Sequence, residues 1–528
     1  MARWRRLRRG RLLVAVAVVA AGSGLWVAWP ERPERPSPPL APYQAGQSLR
    51  RTFEGFPQPA DDASLRLYAD NTEAWVERWR LLSGAGRSID VSYFILHEDI
   101  FGLSFLGHLL ERAREGVSVR MLLDALGTKM SRELAGNEYL EELAANPKVA
   151  LRTYRPLWRR WTEGLLTLRP TAIVASEHDK ILVVDAVRSL IGGRNISVEY
   201  FADPVRDEQA FRDVDLRIDS KPIAAALTRA FEHQFDSEDA AASSEAASED
   251  PRSSDLRRAY RAMDQWLHGR APSVGDAQID AEWLRQLQEH PGLRGALDGK
   301  PAPPIRAETR ILDSHTRFNA PDDQITEGLL RLVRSARKEI FAQTPYVVLS
   351  EQGVRAFEEA AARGVAITIV TNSPVSSDNA LSQAFFLEQW PELLARVPTL
   401  RLFVAGGQNN LHAKAVTFDG DVALVGTYNL DPVSMAFNSE VMAASWSREF
   451  AERVDARARN LIARGAPALF EYRIRRDTNG IAVREDDGRI AVEFGPRDHC
   501  TPEEWAALGA YWTVLKAAKD FIGFSPIL

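Results

Sequence analysis

Cysteine is nearly absent from this chain: the 528 residues include one, Cys500. No intrachain disulfide is possible, and no thiol stands near the N-terminus for a lipoprotein linkage. An excess of positive charge is missing too. Lys and Arg number 66 against 72 Asp and Glu, a formal net charge of −6, which removes any general attraction to a nucleic-acid backbone. Histidine is scarce, with nine residues. One apolar run, Leu12 to Trp29, is near the minimum length for a membrane-spanning helix. The hydrophobic fraction, 45%, is that of an ordinary globular protein, and the length suffices for two sizeable lobes.

Against that scarcity of His, one pattern occurs twice. His178-x-Lys180-x4-Asp185 is followed by Gly192 and Asn195, and His412-x-Lys414-x4-Asp419 by Gly426 and Asn429. The spacing from His to Gly is 14 residues and from His to Asn 17 in both copies. With Lys and Asp each at about 6% of residues, one such triplet is expected by chance roughly 0.03 times per chain, so the pair is not a composition accident.

The residues after each motif Lys, ILVV and AVTF, read as short buried strands. Alternation along a strand puts His178 and Lys180 on one face, and likewise His412 and Lys414. A second apolar run ends at each Gly, where a turn presents the Asn. Each copy thus offers an imidazole for nucleophilic or acid–base work and an ammonium and amide that donate to phosphate oxygens. Two imidazoles facing one phosphate permit a double displacement: one attacks phosphorus, the other protonates the leaving alcohol and deprotonates the incoming one. Lys180, Lys414, Asn195 and Asn429 would bind the non-bridging oxygens, work a metal often does elsewhere. A Lys beside each His repels a cation, so neither metal nor other cofactor is expected.

These residues resemble the phospholipase D superfamily, whose mark is a duplicated HxKx4D with a downstream GxxN. The resemblance implies one active site on a pseudo-twofold axis between two halves, His178 as nucleophile, His412 as acid/base, and Asp185 and Asp419 as more structural members of the catalytic motifs. It also implies a further carboxylate orienting each His. By motif position these are Asp213 and Glu440, with Glu199 and Asp215 as rivals to Asp213. The wording around the motifs, IGGRNISVEYF and GTYNLDPVSMAFNSE, is similar to bacterial cardiolipin synthases of the single-anchor type. The implied activity is transfer of a phosphatidyl group from one phospholipid to phosphatidylglycerol through a phosphohistidine, with phosphatidylethanolamine a candidate co-substrate. A hydrolytic phospholipase D or exported nuclease using the same two His is the alternative. Phospholipids and a bilayer are the expected partners, and nucleic acid is not.

The strand-helix-strand order also repeats. SIDVSYFIL, LSFLGHLLERAREG and VSVRMLLD in the first half parallel KEIFAQTPYVV, GVRAFEEAAARG and VAITIVTN in the second. This predicts an α/β fold of two phospholipase D-like sandwich lobes forming a pseudo-twofold pair with one active site between them. The expected division is 1–30 as membrane anchor or signal peptide, 31–59 as Pro-rich linker, 60–235 as first lobe, 236–305 as acidic loop and connecting helices, 306–465 as second lobe and 466–528 as C-terminal extension. Six Arg within the first eleven residues predict an N-terminus inside a bacterial inner membrane and lobes on its periplasmic side; small residues Ala20 to Ser23 keep a cleaved signal peptide open. Two peripheral segments invite a membrane or docking role. In one, Tyr154, Arg155, Trp158, Arg159, Arg160 and Trp161 interleave; the other is a C-terminal helix started by a Thr501–Glu504 capping box, with Trp505, Leu508, Trp512 and Leu515 on one stripe.

Overall fold

The computed structural model describes residues 40–130, 138–167, 175–242, 255–270, 277–315, 323–505 and 509. The first half contributes strands β1 (Asp61–Tyr68), β2 (Ser88–Tyr93), β3 (Ser118–Asp124), β4 (Val149–Tyr154), β5 (Ile181–Val184), β6 (Arg188–Gly192), β7 (Asp215–Asp219) and β8 (Ala240–Ala242). The second contributes β9 (Ile305–Ser314), β10 (Glu339–Gln343), β11 (Ala366–Thr371), β12 (Leu400–Ala405), β13 (Ala415–Phe418), β14 (Val422–Gly426), β15 (Glu440–Trp446) and β16 (Leu469–Ile474), and β17 (Val492–Phe494) adds to its edge.

Followed strand by strand, the pairings of the first half run β8-β4-β3-β2-β5-β6-β7-β1. Those of the second run β16-β12-β11-β10-β13-β14-β15-β9. The order and the mixture of parallel and antiparallel neighbours are the same, so the fold is two α/β sandwich lobes as the repeated order predicts. The halves meet where β1 pairs antiparallel with β9, from Asp61 opposite Thr309 to Leu65 opposite Ile305.

Each motif strand is central. All four residues of β5 are buried between β2 and β6, and all four of β13 between β10 and β14, which is why ILVV and AVTF are uninterrupted apolar runs. Helices Ile100–Arg114 and Glu351–Ala362, capped by Asp99 and Ser350, cover the outer faces. The inner faces share one core: Ile181, Val183, Ile191 and Leu216 of the first half pack with Ala413, Ala415, Ala423 and Val441 of the second. Small side chains on one side let the sheets approach closely.

Asp185 and Asp419 end their strands with φ of 56° and 55°. Each carboxylate then accepts three consecutive backbone N–H groups at the entry to a neighbouring strand: Gly86, Arg87 and Ser88 for Asp185, Arg337, Lys338 and Glu339 for Asp419. Burial opposes charge on Asp185, but these N–H bonds and Arg188 hold its carboxyl below its usual range. Both Asp sit beyond the far end of a four-residue strand from their His, seven residues on, about 23 Å along an extended chain. The structure does not bring them to the imidazoles.

Several boundaries differ from expectation. Within the segment read as linker, Leu49–Glu54 is helical, and Leu49, Phe53 and Phe56 pack into the second lobe's core beside Leu329 and Leu330. β8 and β16 lie outside the expected lobe limits of 235 and 465, yet they occupy equivalent edges of the two sheets. Helix Asp255–Leu267 packs on the first lobe through Leu256, Met263 and Trp266 and is part of it. The N-terminal apolar run, most of the acidic loop, and Leu508, Trp512 and Leu515 lie outside the described residues. Among the described residues no helix is long and apolar enough to cross a membrane. The capping box at Thr501 is present, with both reciprocal bonds to Glu504.

Replacing Asp419 by Ala should cost stability of roughly 1–2 kcal/mol, the scale of a lost cap, and lower the urea midpoint while turnover per folded molecule stays within about threefold. Rates that collapse at unchanged stability would place Asp419 in the chemistry.

Candidate active site

Two isolated backbone bridges cross between the lobes: Glu177 lies parallel to Ser439, and Arg212 parallel to Leu411. Each joins the residue preceding a motif His to the residue preceding a carboxylate. His178 N donates to Ser439 O at 3.2 Å, and His412 N to Arg212 O at 2.8 Å. This register sets each imidazole opposite an acid of the other half. His178 Nδ1 lies 2.9 Å from Glu440 Oε1, and His412 Nδ1 lies 2.7 Å from Asp213 Oδ2. Glu440 and Asp213, the two carboxylates chosen by motif position, are thus both paired with an imidazole. The rivals are engaged elsewhere: Glu199 with His97 and Ser197, Asp215 in a buried pair with Arg78 and Arg194.

The glycines after each motif make these placements possible. A Cβ on Gly193 would fall 2.3 Å from Asp213 Oδ1, and one on Gly192 2.4 Å from Asp215 Oδ1. A Cβ on Gly426 would fall 2.1 Å from Val441 O, next to Glu440. Arg194, fully buried, donates to the Asp213 carbonyl at 2.7 Å and to Asp215 at 2.9 Å, holding the loop that carries Asp213. Ser434 Oγ donates to Glu440 Oε1 at 2.6 Å.

The lysines behave alike in the two halves. Lys180 Nζ donates to the carbonyl of His178 and Lys414 Nζ to that of His412, each at 2.6 Å. Lys414 Nζ also lies 2.7 Å from His412 Nδ1. That nitrogen is already turned to Asp213, so the contact is cation crowding against the ring. Burial brings Lys180 down to about 8 and Lys414 down to about 7. The asparagines differ. Asn195 accepts from Ile95 N at 3.1 Å and donates to Tyr200 OH at 2.9 Å, so its amide is partly committed to fixing Tyr200, whose ring meets His412 edge-on at 5.3 Å. Asn429 Oδ1 has no hydrogen-bond partner among the described residues.

The two imidazoles sit in unlike fields. Burial, then Lys180 and Lys414, hold His178 well below the ordinary imidazole value; burial and Lys414 lower His412 as well. Their carboxyl partners move in opposite directions. Burial raises Glu440 to about 7. Burial alone would raise Asp213 also, but Lys414, His412 and Arg194 keep it below its usual range. Burial outweighs the lowering by Lys180, Ser434 and Lys414 at Glu440, whereas Lys414, His412 and Arg194 outweigh it at Asp213; the acids flanking the two imidazoles differ as well. Glu177, raised by burial to about 8, and Asp179, also pushed up by burial and by Glu177, lie behind His178; the equivalent positions behind His412 are Leu411 and Ala413. Glu177, Asp179 and Ser434 escaped the sequence reading because no motif marks them, although Ser434 stands inside the segment that identified Glu440.

The interleaved Arg–Trp segment is split by the fold. Tyr154, Arg155 and Arg160 are buried, with Arg160 paired to Asp124 at 2.6 Å, and Arg159 is neutralised by Asp239. Trp158 and Trp161 are exposed. A basic surface for anionic headgroups is therefore not what this helix presents.

Comparison with known proteins identifies the family. The family described as cardiolipin synthase, phospholipase D-like domain, matches residues 79–235 and 329–462. Cardiolipin synthase C of Escherichia coli is 26% identical over 73% of this chain and 82% of its own length. Cardiolipin synthase 1 of Bacillus cereus is 23% identical over 74% of this chain and 64% of its own. Among solved structures, the phosphatidylserine synthase of Haemophilus influenzae superposes with a TM-score of 0.57 at 14% identity, covering 90% of this chain and 98% of that one, a likeness of fold.

Gly193→Ala should displace the Asp213 carboxylate and lower turnover by at least tenfold, with far-UV circular dichroism unchanged and the His178–Glu440 pair intact. Wild-type turnover would mean that Asp213 does not act on His412.

Proposed function

As the chain belongs to the phospholipase D-like family of cardiolipin synthases and is an enzyme of its phosphatidyltransferase class, we propose that it moves a phosphatidyl group from one phospholipid to phosphatidylglycerol through a covalent intermediate on His178. The observation that carries this reading is the pair of crossed imidazole–carboxylate contacts, alike in geometry and unlike in charge. His178 is held neutral, its Nδ1–H directed at Glu440, which leaves Nε2 as the attacking nitrogen. Asp213 opposes the lowering of His412 by burial and Lys414, and so favours the imidazolium, the form that can protonate a leaving alcohol once a substrate anion has arrived.

In the first step His178 Nε2 forms a bond to phosphorus, the bond from phosphorus to the headgroup oxygen breaks, and a proton from His412 neutralises that oxygen. In the second, His412 takes the proton of a phosphatidylglycerol hydroxyl. The hydroxyl oxygen attacks phosphorus and the P–N bond breaks, giving cardiolipin and restoring both imidazoles. Lys180, Lys414 and Asn429 stand where they could bind the non-bridging oxygens. Arrival of the phosphodiester anion offsets the mutual repulsion of two buried ammonium groups, so substrate binding itself raises the proton affinity of the site. Both imidazoles are largely withdrawn from solvent, which supports a lipid alcohol over water as acceptor. The substrates place the working enzyme at a bacterial membrane surface.

Cells lacking their own synthases should gain cardiolipin on expression of this chain and not of His178→Ala, read by lipid mass spectrometry with labelled phosphatidylglycerol. Phosphatidic acid in place of cardiolipin would identify a hydrolase, and release of ethanolamine or of glycerol would identify the donor.

The acidic limb of the rate should lie below pH 6.5, the ordinary imidazole value, because His178 is lowered. Lys180→Met removes a cation that disfavours the imidazolium. The pKa of His178 then rises, and the acidic limb should move to higher pH even as the overall rate falls. A limb that stays put or moves down would contradict the assignment.

A further inference from the structure

Behind His412 the structure has a cavity of about 330 Å³, bordered by Arg212, Asn409, Leu411, Leu461, Arg464 and the backbone around Gly465. Among the described residues, no acidic side chain lines it. Arg212 comes from the first lobe and the other lining residues from the second, so the cavity lies on the seam. Arg212 donates to Asn409 Oδ1 at 3.2 Å, and its buried Nε has no partner among the described residues. Arg457 borders an adjoining smaller cavity, together with Arg212 and Asp213. It donates to the Ala69 carbonyl, and Asp213 there is already held by His412. The cations are crowded: burial and then Arg464 lower Arg212, and burial followed by Arg194 and Arg212 brings Arg457 down to about 10.

The other half has no equivalent arrangement among the described residues. There Ser439 stands in the place of Arg212 and Glu177 in the place of Leu411. A buried cation nearby, Arg160, is neutralised by Asp124; the residue aligned with Asp124 is Asn372, whose amide donates to Asn410 Oδ1 and Leu411 O. The second half thus has an amide where the first has the carboxylate that balances its buried guanidinium. Like charges gathered around an open volume are costly unless an anion completes the set.

We propose that the Arg212–Arg464 cavity, joined by Arg457, is a second anion site that binds a phosphate ester, separate from the phosphate site between the imidazoles. A planar guanidinium pair matches phosphate oxygens. The volume, at the lower end of the roughly 300–1,000 Å³ usual for ligand pockets, admits a phosphate with a small esterified alcohol. Because Arg212 O accepts from His412 N at 2.8 Å, a ligand held by Arg212 and Arg464 ties the lobes together immediately behind the general acid.

The test is calorimetric titration of the full chain with inorganic phosphate. Two sites are expected. Arg464→Gln, an exposed position outside the catalytic set, and Arg212→Gln should each weaken one site at least tenfold and spare the other, whereas Lys180→Met should do the reverse. A single site lost in Lys180→Met and unchanged in Arg464→Gln overturns the proposal. Given two sites, displacement of phosphate from the arginine site by vesicles of phosphatidylglycerol in phosphatidylcholine, but not by phosphatidylcholine alone, identifies a lipid headgroup as the occupant. Indifference to both vesicles identifies free phosphate or a soluble ester.

Discussion

Each imidazole is held by a carboxylate that belongs to the other half of the chain. His178 reaches Glu440, and His412 reaches Asp213. Neither half therefore contains a working imidazole–carboxylate pair, whatever the completeness of its own motif. The β1–β9 seam, the two backbone bridges at Glu177–Ser439 and Arg212–Leu411, and the close-packed inner layer of alanines all serve this crossing. Leaving a buried hydrogen-bonding group without its partner typically costs about 1–3 kcal/mol, more for a charged one, so the same contacts that arrange the chemistry also bind the lobes.

Duplication supplies symmetry of position, and later divergence supplies asymmetry of charge. Behind His178 stand Glu177 and Asp179; behind His412 stand Leu411 and Ala413. Burial makes a negative charge on Glu440 unfavourable, whereas Lys414, His412 and Arg194 hold Asp213 below its usual range. Two geometrically equivalent imidazoles can then take different parts, one as nucleophile and one as proton donor. Among the described residues, a cavity bordered by arginines with no facing carboxylate lies on the His412 side.

Much of this was legible in the sequence. The duplicated motif, its downstream glycine and asparagine and the repeated strand-helix-strand order foretold two lobes and their central strands, because strand periodicity and turn chemistry are local. Glu440 and Asp213 could be placed by motif position. Their crossing to the opposite half could not, since partners 262 and 199 residues apart leave no periodic signal. The split of the Arg–Trp segment was hidden for a related reason: Arg160 is buried only because Asp124, on a different strand, neutralises it. The helix Leu49–Glu54 was masked by surrounding proline and polar residues; it is fixed by tertiary packing of Phe53 and Phe56 rather than by propensity. The commitment of Asn195 to Tyr200 likewise depends on a turn that brings the phenol back.

The central claim is that the unlike surroundings of two equivalent histidines make His178 the nucleophile. It is tested most directly by quenching the enzyme during turnover of phosphatidylglycerol in alkaline denaturant, where phosphohistidine survives, and mapping the covalent adduct by peptide mass spectrometry. The account predicts a phosphatidyl adduct on the peptide carrying His178. An adduct confined to His412, or product formed with no adduct on either histidine, would contradict it.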